Sequence, residues 1–230
     1  MYWATSDWHL GHHAIIKHER RDRFLGLQDW EELEKCGGSW DHGDWSQGSN
    51  YKVSEQALER MTAHFIAITN KYVWMSDTLF IVGDWCLGNA SLSKHCLSQL
   101  NCSDIHLIRG NHDKINVKKS GFLSVQDSLD VKWSGYDFVL SHYPCVAWNK
   151  SHRGSIHLHG HTHGSLDAWR QEHMPGSRSK DVGIDCSLSD FNQYQPYSFE
   201  WLVQNVGSES GHFPIGPGYF VDGPTAESDL

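Results

Sequence analysis

The chain has 230 residues, 39% of them hydrophobic, which suffices for one globular domain with a sizeable core. Its formal net charge of −9 opposes tight non-specific binding to nucleic acid, and excludes a long polyanion partner more firmly than a small phosphorylated molecule. No apolar run reaches the ~18 residues of a membrane span, no secretory leader is visible, and the six cysteines form no Cys-x-x-Cys pair, so a cytoplasmic protein with reduced thiols is expected.

In chain order, residues 2–6 form a short β-prone run that ends at Asp7, and residues 11–21, with Ala14, Ile15 and Ile16, suit a short helix. Residues 25–52 are rich in Gly, Trp and charge and are read as an insertion with one helix near 30–35. Val53, Ala57, Leu58, Met61, Phe65 and Ile68 recur at helical spacing, and Ser54 followed by Glu55 is a plausible helix start. Residues 78–82 read as a buried strand closed by Gly83-Asp84, 90–100 as a helix, and 105–108 as a strand running into Gly110-Asn111-His112-Asp113. Helix, strand, helix, strand implies parallel strands with crossover helices, a class that places ligands at the carboxyl ends of its strands.

The second half has a different texture. Apolar runs at 129–133 and 137–140 flank Ser134-Gly135-Tyr136, a hairpin signal. Residues 155–158 read as a strand ending at Gly160-His161-Thr162-His163, and 181–185 as one more. Residues 197–206 carry a mixed signal that allows a terminal helix, and 207–230 form an irregular Gly-, Pro- and Ser-rich tail. The globular domain is therefore placed at 1–206.

The chemistry-bearing residues fall where predicted strands give way to loops. Taken singly, Asp7-Trp8-His9 is explained by a capped turn, Gly83-Asp84 by a turn, and His142 by a satisfied histidine. Together and in this order they suit a binuclear metal site. Hydrolysis of a phosphate ester needs a nucleophile at neutral pH, neutralisation of developing charge and a proton for the leaving oxygen; two divalent cations roughly 3.5–4 Å apart supply the first two. Asp84 has two oxygens with which to bridge the pair. Asp7 and His9, two apart, can face one cation, and His161 and His163 can approach from the far side. Asn111 adds a carbonyl oxygen and His142 an imidazole. Mixed N/O donors favour Mn²⁺, with Fe, Zn or Ni as alternatives, over Ca²⁺. His112 is placed to donate a proton to the leaving group, and Asp113 to orient that imidazole.

These motifs resemble those of the calcineurin-like metallophosphoesterases, over roughly residues 1–24 and 53–204. Thr5 to His12, Ser141-His142-Tyr143-Pro144 and His159 to Gly164 are similar to small bacterial and phage phosphoesterases of that type. The resemblance implies a four-layer αββα sandwich in the α/β class. It implies one cation on Asp7, His9, Asp84 and His163, and the other on Asp84, Asn111, His142 and His161. It further implies a bridging hydroxide as attacking group and His112 as general acid. Two departures concern substrate: the long gap from His9 to Asp84, and Gly88 where relatives often carry Asp or Asn.

Other residues keep two readings. His12 and His13 suit substrate phosphate or a helix N-terminus, and Arg20, Arg21 and Arg23 suit a phosphate clamp or a solvated basic face. Trp8 and Trp85 suit a pocket wall or plain core, and His159 points inward to orient a ligand. The expected partner is a small, nucleotide-derived or other phosphomonoester or phosphodiester. A nuclease with the same metal chemistry is the first alternative, against which the acidic charge weighs. A non-catalytic scaffold is the second; such a protein would be expected to have lost ligands, and all seven are present.

Overall fold

The computed structural model describes residues 1–36, 52–114 and 120–206. The 207–230 tail and residues 37–51 of the expected insertion lie outside them.

Strands β1 (Tyr2–Thr5), β2 (Thr78–Ile81), β3 (Asp104–Ile108), β4 (Ser124–Gln126) and β9 (Tyr197–Ser198) make one sheet, in the order β4-β3-β2-β1-β9. The first four are parallel, and β9 is antiparallel to β1. Strands β5 (Ser128–Trp133), β6 (Tyr136–Ser141), β7 (Ile156–His159) and β8 (Ser179–Asp181) make the second sheet in chain order. There β5 and β6 pair as a hairpin while β6, β7 and β8 run parallel. The hairpin turn has Ser134 at φ 48° and Gly135 at φ 84°, the positive pair that a two-residue turn between right-twisted strands requires. The protein is thus an α/β fold with two mixed sheets.

The strands' period of two divides the apolar residues between two cores. In β2, Leu79 and Ile81 face the helix α3 (Glu55–Tyr72), whose Ala57, Leu58, Met61, Phe65 and Ile66 are buried against them. Phe80 and Val82 face the other way, into a core shared with Phe138 and Leu140 of β6 and Ile156 and Leu158 of β7. A strand buried on both faces has no polar alternation to show, which is why residues 78–82 read as a continuous apolar run. The Ser54 hydroxyl starts α3 by accepting the Ala57 N–H at 3.1 Å.

Helices α1 (His13–His18), α2 (Leu27–Lys35) and α4 (Ala90–Leu97) complete the first half; α5 (Asp167–His173), α6 (Cys186–Phe191) and α7 (Phe199–Asn205) belong to the second. Three of these elements were not anticipated: β4, α5 and α6 are too short for a period to show. The strand expected at 181–185 is displaced. β8 stops at Asp181, because Gly183 leaves the sheet to bridge Ser6 and its N–H turns back onto the Asp181 carboxylate at 2.8 Å. The mixed signal at 197–206 resolves into β9 followed by α7, with Ser198 as the cap between them. All six cysteines are free thiols, and among the described residues no helix is long and apolar enough to cross a membrane.

Candidate metal centre

Each motif follows a strand. Asp7 and His9 leave β1, Asp84 leaves β2, Asn111 and His112 leave β3, His142 leaves β6, and His161 and His163 leave β7. The ends of the two sheets meet there. The His161 N–H reaches the Asp7 carboxylate at 3.0 Å, and the Gly160 N–H reaches the His142 carbonyl at 3.0 Å.

All seven expected side chains come together. His9 Nε2 lies 3.8 Å from Asp7 Oδ1 and 3.6 Å from Asp84 Oδ2. His163 Nε2 lies 3.9 Å from Asp7 Oδ1. On the other side His142 Nε2 is 3.4 Å from the same Asp84 Oδ2 and 3.2 Å from Asn111 Oδ1, and His161 joins Asp84 and His142 in one cluster. Asp84 therefore touches both groups. Most of these separations are long for hydrogen bonds, yet two donors each ~2.0–2.2 Å from one cation lie about 3–3.6 Å apart. Four triples could hold a cation among the described residues: Asp7, His9 and His163; Asp84, His142 and His161; His9, Asp84 and His112; and, behind His163, Glu19, His163 and Asp185. The donor chemistry fits. Both ring nitrogens of buried His9 lack any hydrogen-bond partner, a cost that a bound cation would remove.

The backbone carries the same message. Asp7, His9, Asp84, His161 and His163 all have positive φ, between 48° and 71°. Nine non-glycine residues among those described do so, and five of them are in this cluster. Such strain persists where the surroundings enforce it and gathers at functional sites. Two motif glycines, Gly110 and Gly160, are required by contact rather than by a left-handed backbone. A Cβ on Gly110 would enter the Asp84 carboxylate, and one on Gly160 would enter the Ser6 hydroxyl and the Asp7 carboxylate.

Outer contacts fix these groups. His142 Nδ1 donates to the Val82 carbonyl at 2.9 Å, leaving Nε2 toward Asp84 and Asn111. Asp113 is buried and grips main chain: its carboxylate accepts the N–H groups of Gly110 (2.9 Å), Trp85 (3.0 Å) and Cys86 (3.4 Å), tying the β3 loop to the β2 loop. That use of Asp113 differs from the expected orientation of the His112 ring. His112 is fixed through its own N–H on Asp84 Oδ1 at 2.9 Å, its ring one-third exposed, with Nε2 4.0 Å from Asp84 Oδ2. Asp181, fully buried, takes the Thr162 hydroxyl and the Gly164 N–H. His159 is buried and donates Nδ1–H to the Gly160 carbonyl.

Titratable groups in the cluster are strongly perturbed. Burial pushes the Asp7 carboxyl up and the His9 imidazole down to about 2. Burial would also raise Asp84, but the hydrogen bond and charge of His142 and the His112 N–H hold it at about 2. His142 and His163 rise to about 9 against their burial, drawn up by Asp84 and by Asp185 respectively. Perturbations of this kind are what a buried cluster of opposed charges produces, and catalytic and ligand-binding sites share that feature with structural ion-pair networks. A cavity of about 580 Å³ near α5, lined by Arg170, Ser179 and Asn205 among others, touches none of these residues.

The remaining candidates divide. Trp8 and Trp85 are fully buried and pack on each other, with ring centroids 4.8 Å apart, so they are core. His13 joins α1 to the start of α3 through the Val53 carbonyl and Glu55. His12 stays at the site, its ring 5.5 Å from His9 and 5.6 Å from His112. Arg21 is neither a clamp nor a solvated face: it is wholly buried and paired with Asp185. Asp185 and Asp181 were missed as site residues; the apolar run 182–184 between them reads as strand, and nothing in a row of arginines singles out Arg21.

The fold and this cluster define an α/β protein with a His/Asp centre at the carboxyl ends of its strands. No family model matches the chain. It is 30% identical over 152 residues to the uncharacterized protein MJ1445 of Methanocaldococcus jannaschii, a match spanning 65% of this chain and 77% of that one, and it belongs to the same family. Among solved structures, a protein of unknown function, AQ665 from Aquifex aeolicus, is similar in fold with a TM-score of 0.53 and 17% identity, over 89% of this chain and 98% of that one. Looser similarity extends to a novel archaeal phosphodiesterase (TM-score 0.35, 16% identity, 70% of this chain and 73% of that one). It extends also to YfcE, a phosphoesterase from E. coli (TM-score 0.32, 16% identity, 70% and 69%). At those scores neither likeness bears on chemistry.

Proposed function

We propose that the protein is a metal-dependent hydrolase of phosphate esters, of the calcineurin-like metallophosphoesterase type. Asp7, His9, Asp84 and His163 would hold one divalent cation and Asp84, Asn111, His142 and His161 a second, with Mn²⁺ preferred. The observation that carries this reading is the left-handed backbone at Asp7, His9, Asp84, His161 and His163, which turns five donors from three loops onto one spot.

Two cations bound there would supply positive charge for the phosphoryl oxygens and a water of lowered pKa. The residues do the rest. His112, beside the shared carboxylate but partly open to solvent, delivers a proton from its ring to the leaving oxygen. His12, close by, lines the same side of the site. Asp113 keeps the loops of Asp84 and His112 in register. The substrate is a small phosphomonoester or phosphodiester. In this reading the domain spans 1–206 with an insertion at 25–52, and the two sheets are the inner layers of an αββα sandwich, with α3 on one outer face and α5 on the other.

Chelator-stripped protein reconstituted with Mn²⁺ should hydrolyse aryl phosphates, and a panel of phosphomonoesters, linear diesters and cyclic nucleotides would fix the preference. Activity that is unaffected by stripping would overturn the proposal. His112 also belongs to a triple that can hold a cation, with His9 and Asp84. Metal content of His112→Ala separates the two roles, since a general acid can be removed without loss of metal.

A further inference from the structure

Behind His163 lies a contact that the ligand motifs do not mention. His163 Nδ1 is 2.9 Å from Asp185 Oδ2. A carboxylate only accepts, so Nδ1 carries the proton and Nε2 is left facing Asp7. The same carboxylate takes a two-pronged grip from Arg21, Nε at 2.8 Å and Nη2 at 2.7 Å. Arg21 is fully buried and also grips backbone: Nη2 donates to the Asp7 carbonyl at 2.7 Å and Nη1 to the Trp8 carbonyl at 2.9 Å, while Met61 Sδ and the Phe65 ring of α3 pack on the guanidinium. One guanidinium thus spans the end of α1, the strained loop after β1 and the turn before α6. A planar fork of five donors suits that task, and a lysine does not. Glu19 Oε2 lies 3.5 Å from the same His163 nitrogen, but the guanidinium already neutralises Asp185, so this trio is a brace rather than another cation site.

We infer that Arg21 and Asp185 are positioning residues for one half of the centre only: they fix His163 and the backbone of Asp7, and have no contact with Asn111, His142 or His161. This rests on the two-cation reading above. The other half has its own supports, Val82 for His142 and Asp113 for the Asp84 and Asn111 loops. Losing the brace should therefore weaken one cation and spare its neighbour.

The test is calorimetric titration of chelator-stripped full-length protein with Mn²⁺. Wild type should take up two ions. Asp185→Asn, which keeps shape and removes charge, should weaken one by about 10–100-fold and leave the other unchanged, as loss of such an outer contact typically does. Arg21→Lys should fall between it and wild type. Two unaltered sites in Asp185→Asn would overturn the inference, as would equal weakening of both. Wild type that binds no Mn²⁺ would instead overturn the two-cation reading. A second measurement needs no variant: ring ¹⁵N shifts of the wild-type protein with Zn²⁺ should show His163 protonated at Nδ1 and metal-shifted at Nε2. The opposite tautomer would refute the brace even if both variants failed to fold.

Discussion

The two halves of the centre use similar donors on different scaffolds. Around Asp84 and Asn111 the supports lie in the ligands' own loops, and His142 is held by the Val82 carbonyl next to the Asp84 loop. Asp113 sits at the end of its own motif, and Gly110 makes room for the carboxylate it approaches. Around Asp7 and His163 the supports are remote: Arg21 and Asp185 are 164 residues apart, and the Asp7 carboxylate is reached by the His161 N–H from the second sheet. Both arrangements hold strained backbone, one through main-chain hydrogen bonds and close packing, the other through a buried ion pair. The first kind is robust to charge; the second fails sharply when one partner is removed, because a buried charge is left alone.

That contrast can be broken at its shared member. Asp84→Ala removes the carboxylate that would ligate both cations, so turnover should fall to background and calorimetry should show loss of both. An enzyme still active and metal-replete would deny that Asp84 joins them. His112→Ala lies outside both supports. It should keep two cations while kcat falls by about 10²–10⁴ on a substrate with a poor leaving group. A parallel loss of metal would make His112 a ligand.

Smaller effects sharpen the comparison. Gly110→Ala forces a methyl against the Asp84 carboxylate and should cost about 1–3 kcal/mol in chemical denaturation. It should also disturb the Asp84 side before the Asp7 side. Asp113→Ala leaves the Gly110, Trp85 and Cys86 N–H groups without their acceptor and should cost about 1–3 kcal/mol, read in the same melts. A stability equal to wild type would mean the loops do not depend on it.

The smallest effect is on acid stability. Burial would raise the Asp185 carboxyl, but the charge of Arg21 and the bond from His163 hold it at about 2, below its usual 3.8. A folded-state pKa below the unfolded one gives stability that is present above about pH 4 and lost as pH falls toward 2. Asp185→Asn should therefore flatten the denaturation profile between those pH values. An unchanged slope would show that the pair contributes nothing there.

What the sequence determined by itself was the local grammar: an apolar strand, then a glycine or tight turn, then a donor. That pattern located Asp7, Asp84, Asn111, His142 and the His161/His163 pair, and the helical spacing of Ala57, Leu58, Met61 and Phe65 located α3, because strand pleat and helix pitch impose periods that a linear text records. Short elements such as β4, α5 and α6 left no period to read. Tertiary structure alone decided which arginine of a basic run is buried, that Asp185 stands behind His163, and that Asp113 holds main chain instead of a ring. Those outcomes depend on groups far apart in the chain meeting in a desolvated interior. There a charge must find its partner, and no spacing along the sequence encodes that meeting.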